Sequence, residues 1–181
     1  LAVIFFFSGS VRSAVAQENK DCFDCHDDIT LNVKRNGVSV SLYVNKKTFS
    51  GSAHKSVKCV GCHAELAGKE LPHDEFASRA QCASCHTQQQ RFYDEGLHGQ
   101  AKKQGDPLAP GCLDCHGSPH EILSARDTRS PVTAIKIPAL CGRCHHEGSP
   151  VQIKYDIPQS NILENYSESM HGEGLLKKGL I

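Results

Sequence analysis

The chain has 181 residues, with 20 Lys and Arg balanced by 20 Asp and Glu, a charge balance that excludes a strongly basic nucleic-acid-binding face. Leu, Ile, Val and Phe make up one fifth of residues 17–181, at the lower edge of what an ordinary side-chain core requires. Cysteine is the outlier: there are 10, and every one lies in a C-x-x-C pair followed directly by histidine.

In chain order, the first segment is an apolar run, Leu1 to Phe7, too short to span a bilayer, followed by small residues ending Ala14-Val15-Ala16. It reads as the remnant of a secretory signal over residues 1–16, with an uncleaved membrane anchor as the alternative. Residues 17–181 then form one exported, periplasmic or extracellular domain.

Five motifs follow. They are Cys22-Phe-Asp-Cys25-His26, Cys59-Val-Gly-Cys62-His63, Cys82-Ala-Ser-Cys85-His86, Cys112-Leu-Asp-Cys115-His116 and Cys141-Gly-Arg-Cys144-His145. C-x-x-C-H is the attachment signature of haem c. Its two thiols add across the vinyl groups of one porphyrin, and the adjacent histidine binds the iron. Zinc sites do not need a histidine after each pair, and five pairs leave an odd half-site. A thioredoxin-like C-x-x-C would occur once, beside a β-α-β pattern, and disulfides place no demand on the next residue. The cofactor expected is five haems c.

Each iron has a second axial position, and six histidines lie outside the proximal positions: His54, His73, His98, His120, His146 and His171. Met170 is the only methionine, so at most one haem can take a thioether ligand. His54, His98 and His171 each follow an aromatic residue by five positions, and the last two share Tyr-x-Glu-x-x-His-Gly, over Tyr93 to Gly99 and Tyr166 to Gly172. These three, with His120 and His73, are the expected distal ligands. His146 is either a distal ligand or a solvated neighbour of His145.

The motifs start 37, 23, 30 and 29 residues apart, and a segment of about 30 residues cannot build its own core. Haem must therefore act as the core. The expected fold is mostly irregular, with short α-helices and one β-hairpin packed around the porphyrins. The hairpin lies in Ile29 to Phe49, where alternating apolar residues flank Asn36-Gly37; its expected role is to cover the first haem and deliver His54. Helices are expected over Thr87 to Gln104, carrying His98, and Asn161 to Lys178, carrying His171. Projecting the repeat places a further haem cysteine near residue 185. A chain continuing into another repeat and one in which His171 is the last ligand both remain open.

With these residues in view, the sequence resembles the multihaem c-type cytochromes of anaerobic, metal- and sulfate-respiring bacteria. Ser52 to His63, a histidine followed by a haem motif, is similar to the corresponding segment of class III tetrahaem cytochromes. The resemblance implies that His54 ligates a haem other than the one just after it, and it favours His146 as a distal ligand. Tyr93 to His120 is similar to a repeat of larger periplasmic cytochromes with paired C-x-x-C-H units. The implied role is electron transfer in anaerobic respiration between redox protein partners, a quinol-oxidising donor or a terminal reductase, with no catalytic residue. Two alternatives stand beside it: a fragment of a nitrite- or hydroxylamine-type oxidoreductase, and a subunit of a cytochrome filament.

Overall fold

The computed structural model describes residues 18–73, 77–158 and 161–178; the signal assigned to residues 1–16 lies outside them. The chain divides into two compact units, one of Leu1–Tyr43 with Val57–Gln81, the other of Val44–Ser56 with Cys82–Ile181. Among the described residues no helix is long and apolar enough to cross a membrane.

In the first unit, helix α1 (Asn19–His26) leads into an antiparallel hairpin of β1 (Asn32–Arg35) and β2 (Val38–Ser41). Arg35 pairs with Val38 and Asn32 with Ser41. Asn36 and Gly37 take φ of 50° and 81°, the doubly positive pair of a two-residue turn whose twist matches that of the strands. The hairpin is thus where the Asn-Gly signal puts it, with shorter strands than the alternation suggests, and Ile29 lies outside it, exposed. The unit continues through α3 (Cys59–Cys62) and a 3₁₀ turn, Ala64–Leu66. Asn19 of α1 and Glu18, which caps it, clamp the start of α3: Asn19 donates its amide to Val57 O (3.1 Å) and accepts from Cys59 N (2.8 Å), and Lys58 pairs with Glu18 (2.7 Å).

The second unit holds α2 (Lys46–Ser50), a 3₁₀ turn at Cys82–Ser84, α4 (Thr87–Glu95), α5 (Leu97–Lys103), α6 (Cys112–His116), α7 (Ile137–Gly142), α8 (Pro150–Tyr155), α9 (Ile162–Ser167) and α10 (Met170–Lys178). Both long helices expected from the sequence are broken in two. Gly96 adopts an extended conformation (φ −80°, ψ 162°) that ends α4, and α5 folds back against it. The break between α9 and α10 falls at the equivalent place, before the Met-His-Gly that matches Leu97-His98-Gly99.

Little of this architecture rests on side-chain burial. Among the described residues the buried apolar side chains are Phe49 and Ala109 alone. The other fully enclosed groups are polar and belong to local turns, such as Ser149, which caps α8 by accepting from Gln152 N (3.1 Å) ahead of Pro150. Asp106 is tied by Leu108 N (2.9 Å), by Lys154 (2.8 Å) and by the Tyr155 hydroxyl.

Candidate metal centres

Each C-x-x-C-H begins in a helical element, which the third and fifth motifs leave after Ser84 and Gly142, and the turn puts the two cysteines on one side with the histidine a residue further round. His63, His86 and His145 each donate their backbone N–H to the carbonyl of their motif's first cysteine, at 2.9, 2.9 and 3.0 Å. None of the ten cysteines is paired in a disulfide.

Among the described residues three pairs of imidazoles face each other. His26 and His73 have ring centres 6.1 Å apart with planes at 19°; His54 and His86 stand at 6.0 Å and 62°; His98 and His145 at 6.0 Å and 38°. A metal ion at roughly 2 Å from one nitrogen of each ring separates the ring centres by about 6 Å. Each pair joins one motif histidine to one of the six others. His26 donates Nδ1–H to Leu42 O (2.8 Å), since a carbonyl only accepts, and this leaves its Nε2 lone pair for a metal. The residue after β2 therefore orients a motif histidine, a function of the hairpin that the sequence does not signal. His54 comes instead from the turn after α2, where Ser52 is buried and Ala53 N bonds Ile122 O (2.7 Å).

His63 and His120 are half-buried, His63 just after α3 and His120 in the turn after Pro119. His116 ends α6, His171 lies in the first turn of α10, and both are exposed. His146 is also exposed, its Nδ1 on Glu147 O (3.0 Å). Among the described residues no second imidazole faces His116, His146 or His171.

Thiols of neighbouring motifs approach one another. Burial, and next the Cys22 thiol beside it, push the Cys59 thiol up to about 11. Burial and then Cys82 raise Cys112, and burial and then Cys141 raise Cys115. Two further ties hold motifs together: Tyr93 OH donates to Pro110 O (2.7 Å), two residues before Cys112, and Arg143 Nη2, inside the fifth motif, donates to Asp114 O (2.7 Å), inside the fourth.

The surroundings suit a large apolar cofactor bearing iron. Leu97 is 84% exposed and Met170 is 89% exposed, each just before a candidate histidine, and Leu113, between Cys112 and Cys115, is exposed as well. This is apolar surface that gains by being covered. An apolar cavity of about 350 Å³ opens beside Cys141, lined by Ile137, Pro138, Ile162, Tyr166 and Leu175 among others. Nδ1 of His145 is buried without a hydrogen-bond partner among the described residues. Thiol pairs, facing imidazoles and uncovered apolar surface together fit haem c.

Comparison with known proteins points to a c-type cytochrome. The profile of the class III cytochrome c family matches residues 32–145. The cytochrome c-type protein NrfB of Haemophilus influenzae (strain ATCC 51907 / DSM 11121 / KW20 / Rd) is 30% identical over 113 residues, 59% of this chain and 48% of that protein. The chain thus spans about half the length of this curated relative. No solved structure matches it.

Proposed function

Because the chain belongs to the class III cytochrome c family, we propose that it is a pentahaem electron carrier in which every iron lies between two histidines, exported to the periplasm or beyond and working in anaerobic respiration. Haem held in this way supplies reversible one-electron transfer at an iron with no open coordination position. The ten motif cysteines hold the porphyrins. His26, His63, His86, His116 and His145 are the proximal ligands. His73, His54 and His98 are the distal partners of His26, His86 and His145, and His120 and His171 complete the remaining two sites. The observation that carries this reading is the recurrence of one spacing, 6.0–6.1 Å, between three motif histidines and three others far from them in sequence. The closeness of Cys59 to Cys22, of Cys112 to Cys82 and of Cys115 to Cys141 supports close placement of successive haems within each unit.

The protein's own groups have positioning roles. Leu42 O fixes the tautomer of His26, and the Arg143 guanidinium keeps the fourth and fifth motifs in register. With no net charge on the polypeptide, ionised propionates make the loaded protein acidic, which suits redox partners with a basic face. No residue is assigned a catalytic role.

A second reading is that one iron stays open and the chain is part of a nitrite- or hydroxylamine-type oxidoreductase. Stopped-flow mixing of the reduced full-chain protein with nitrite or hydroxylamine separates the two. The carrier reading expects no turnover and fast electron exchange with a redox mediator; sustained turnover overturns it.

A further inference from the structure

Helices α4 and α5 touch three motifs. His86 of the third motif caps the N-terminus of α4, its carbonyl accepting from Gln90 N (2.9 Å). The Tyr93 hydroxyl holds Pro110 O at 2.7 Å and the Lys102 ammonium holds Ala109 O at 3.0 Å, so both helices grip the segment that enters the fourth motif; Ala109 is among the few buried apolar residues. His98, in the first turn of α5, faces His145 of the fifth.

The contact that lets α5 fold back on α4 runs through Gly99. A Cβ at this position would lie on the Tyr93 carbonyl oxygen, 2.6 Å from Tyr93 C and 2.8 Å from Asp94 Cα, closer than real side chains approach. The same device recurs at α9 and α10. A Cβ at Gly172 would lie on the Tyr166 carbonyl oxygen, 2.7 Å from Tyr166 C and 2.8 Å from Ser167 Cα. Both glycines are buried, and each directly follows an exposed histidine. Neither takes a positive φ, so the requirement is for close backbone approach and not for a special backbone conformation. The spacing Tyr-x-x-x-x-His-Gly thus encodes a helical corner that turns a histidine outward one residue before the contact.

We propose that Gly99 is the positioning residue that aims His98 at its iron, and that Tyr93 joins this corner to the fourth motif, its carbonyl receiving the glycine and its hydroxyl holding Pro110. The inference rests on reading His98 and His145 as ligands of one haem. Substituting Gly99 forces the α4–α5 corner open and carries His98 away from His145. Losing the Tyr93 hydroxyl leaves the corner closed but releases the lead into Cys112.

The test uses the full chain matured with haem, in five forms: wild type, H98A, G99A, H98A/G99A and Y93F. G99A is expected to convert one iron in five from low to high spin, as H98A does, by electron paramagnetic resonance. Added imidazole is expected to return that iron to low spin in both. The double variant is expected to show no more high-spin iron than H98A alone, because the two changes remove the same ligand. Y93F, which keeps the ring and its packing, is expected to retain five low-spin irons while moving the midpoint potential of one haem. A G99A protein with a wild-type low-spin spectrum overturns the role of Gly99, and a Y93F voltammogram identical to wild type overturns the link to the fourth motif. Should G99A fail to mature, Y93F still decides that link, and the same change at the second corner, Gly172→Ala, decides by the same spin count whether such a contact aims the histidine before it. An H98A protein with every iron still low-spin overturns the ligand reading and the proposal with it.

Discussion

The imidazole of His54 stands 6.0 Å, centre to centre, from that of His86, although the whole Cys59 motif lies between them in the chain. His54 precedes Cys59 by five residues but faces a different motif, the crossing that resemblance to class III cytochromes implies. Asn45 caps α2 by accepting from Thr48 N (3.0 Å), and the Ala53 N–H on Ile122 O holds the turn that delivers the ring. Replacing a histidine ligand with methionine raises a haem's potential. His54→Met is therefore expected to move one haem upward in a spectroelectrochemical titration while leaving five haems attached. An unchanged set of potentials removes His54 from the ligand set.

The plane angles give a separate expectation. Near-parallel imidazoles, as at His26 and His73 (19°), produce rhombic low-spin signals, and strongly crossed ones, as at His54 and His86 (62°), produce signals with one very large g-value. The oxidised protein is expected to show both kinds in its electron paramagnetic resonance spectrum. His73→Ala should remove a rhombic component and His54→Ala the large-g component; the reverse assignment contradicts the pairing.

The chemistry of this chain was legible in its sequence to the extent that it is written in local spacing. Cys-x-x-Cys-His needs one helical turn and nothing else, Asn36-Gly37 needs one tight turn, and Tyr-x-Glu-x-x-His-Gly announces itself by recurring. The breaks at Gly96 and between α9 and α10 were not legible, because helical periodicity runs through both and the reason for the fold-back is a backbone contact between Gly99 and Tyr93. Which imidazoles face each other was hidden for a related reason. With Phe49 and Ala109 the buried apolar residues among those described, little apolar patterning marks which segments meet. Ties between segments, such as Leu42 O on His26 and Arg143 on Asp114 O, use backbone carbonyls that every residue carries.

Arg143 offers a charge test. Its guanidinium sits between the fourth and fifth motifs, where a cation disfavours the more positively charged, oxidised iron. Arg143→Gln is expected to lower the potential of at least one haem, by more at low ionic strength than at high, since the group is exposed and screened by salt. Potentials that rise, or that stay fixed at low salt, contradict this placement.

Acid sensitivity follows from Glu65. The hydroxyl (2.7 Å) and backbone N–H of Ser78 donate to its carboxylate and hold it down at about 2, against 4.5 ordinarily. A depressed carboxyl contributes stability that is fully present above its unfolded value and is lost as pH falls through the folded one. Glu65→Gln is expected to destabilise the protein at pH 6 and to flatten the loss of stability between about pH 4.5 and 2, followed by denaturant unfolding monitored by circular dichroism. A parallel pH profile for wild type and variant rules the contact out.

Ser149 tests the local scaffolding without touching a motif. It is 1% exposed and caps α8, so Ser149→Ala is expected to cost about 1 kcal/mol in denaturant unfolding. Haem content and potentials should stay at wild-type values.

The most direct measurement is the intact mass of the denatured, exported protein together with a thiol titration. Five covalently added haems and none of the ten cysteines free to react is the expected result. A mass short of five haems, with reactive thiols left on any C-x-x-C-H, would contradict the pentahaem reading.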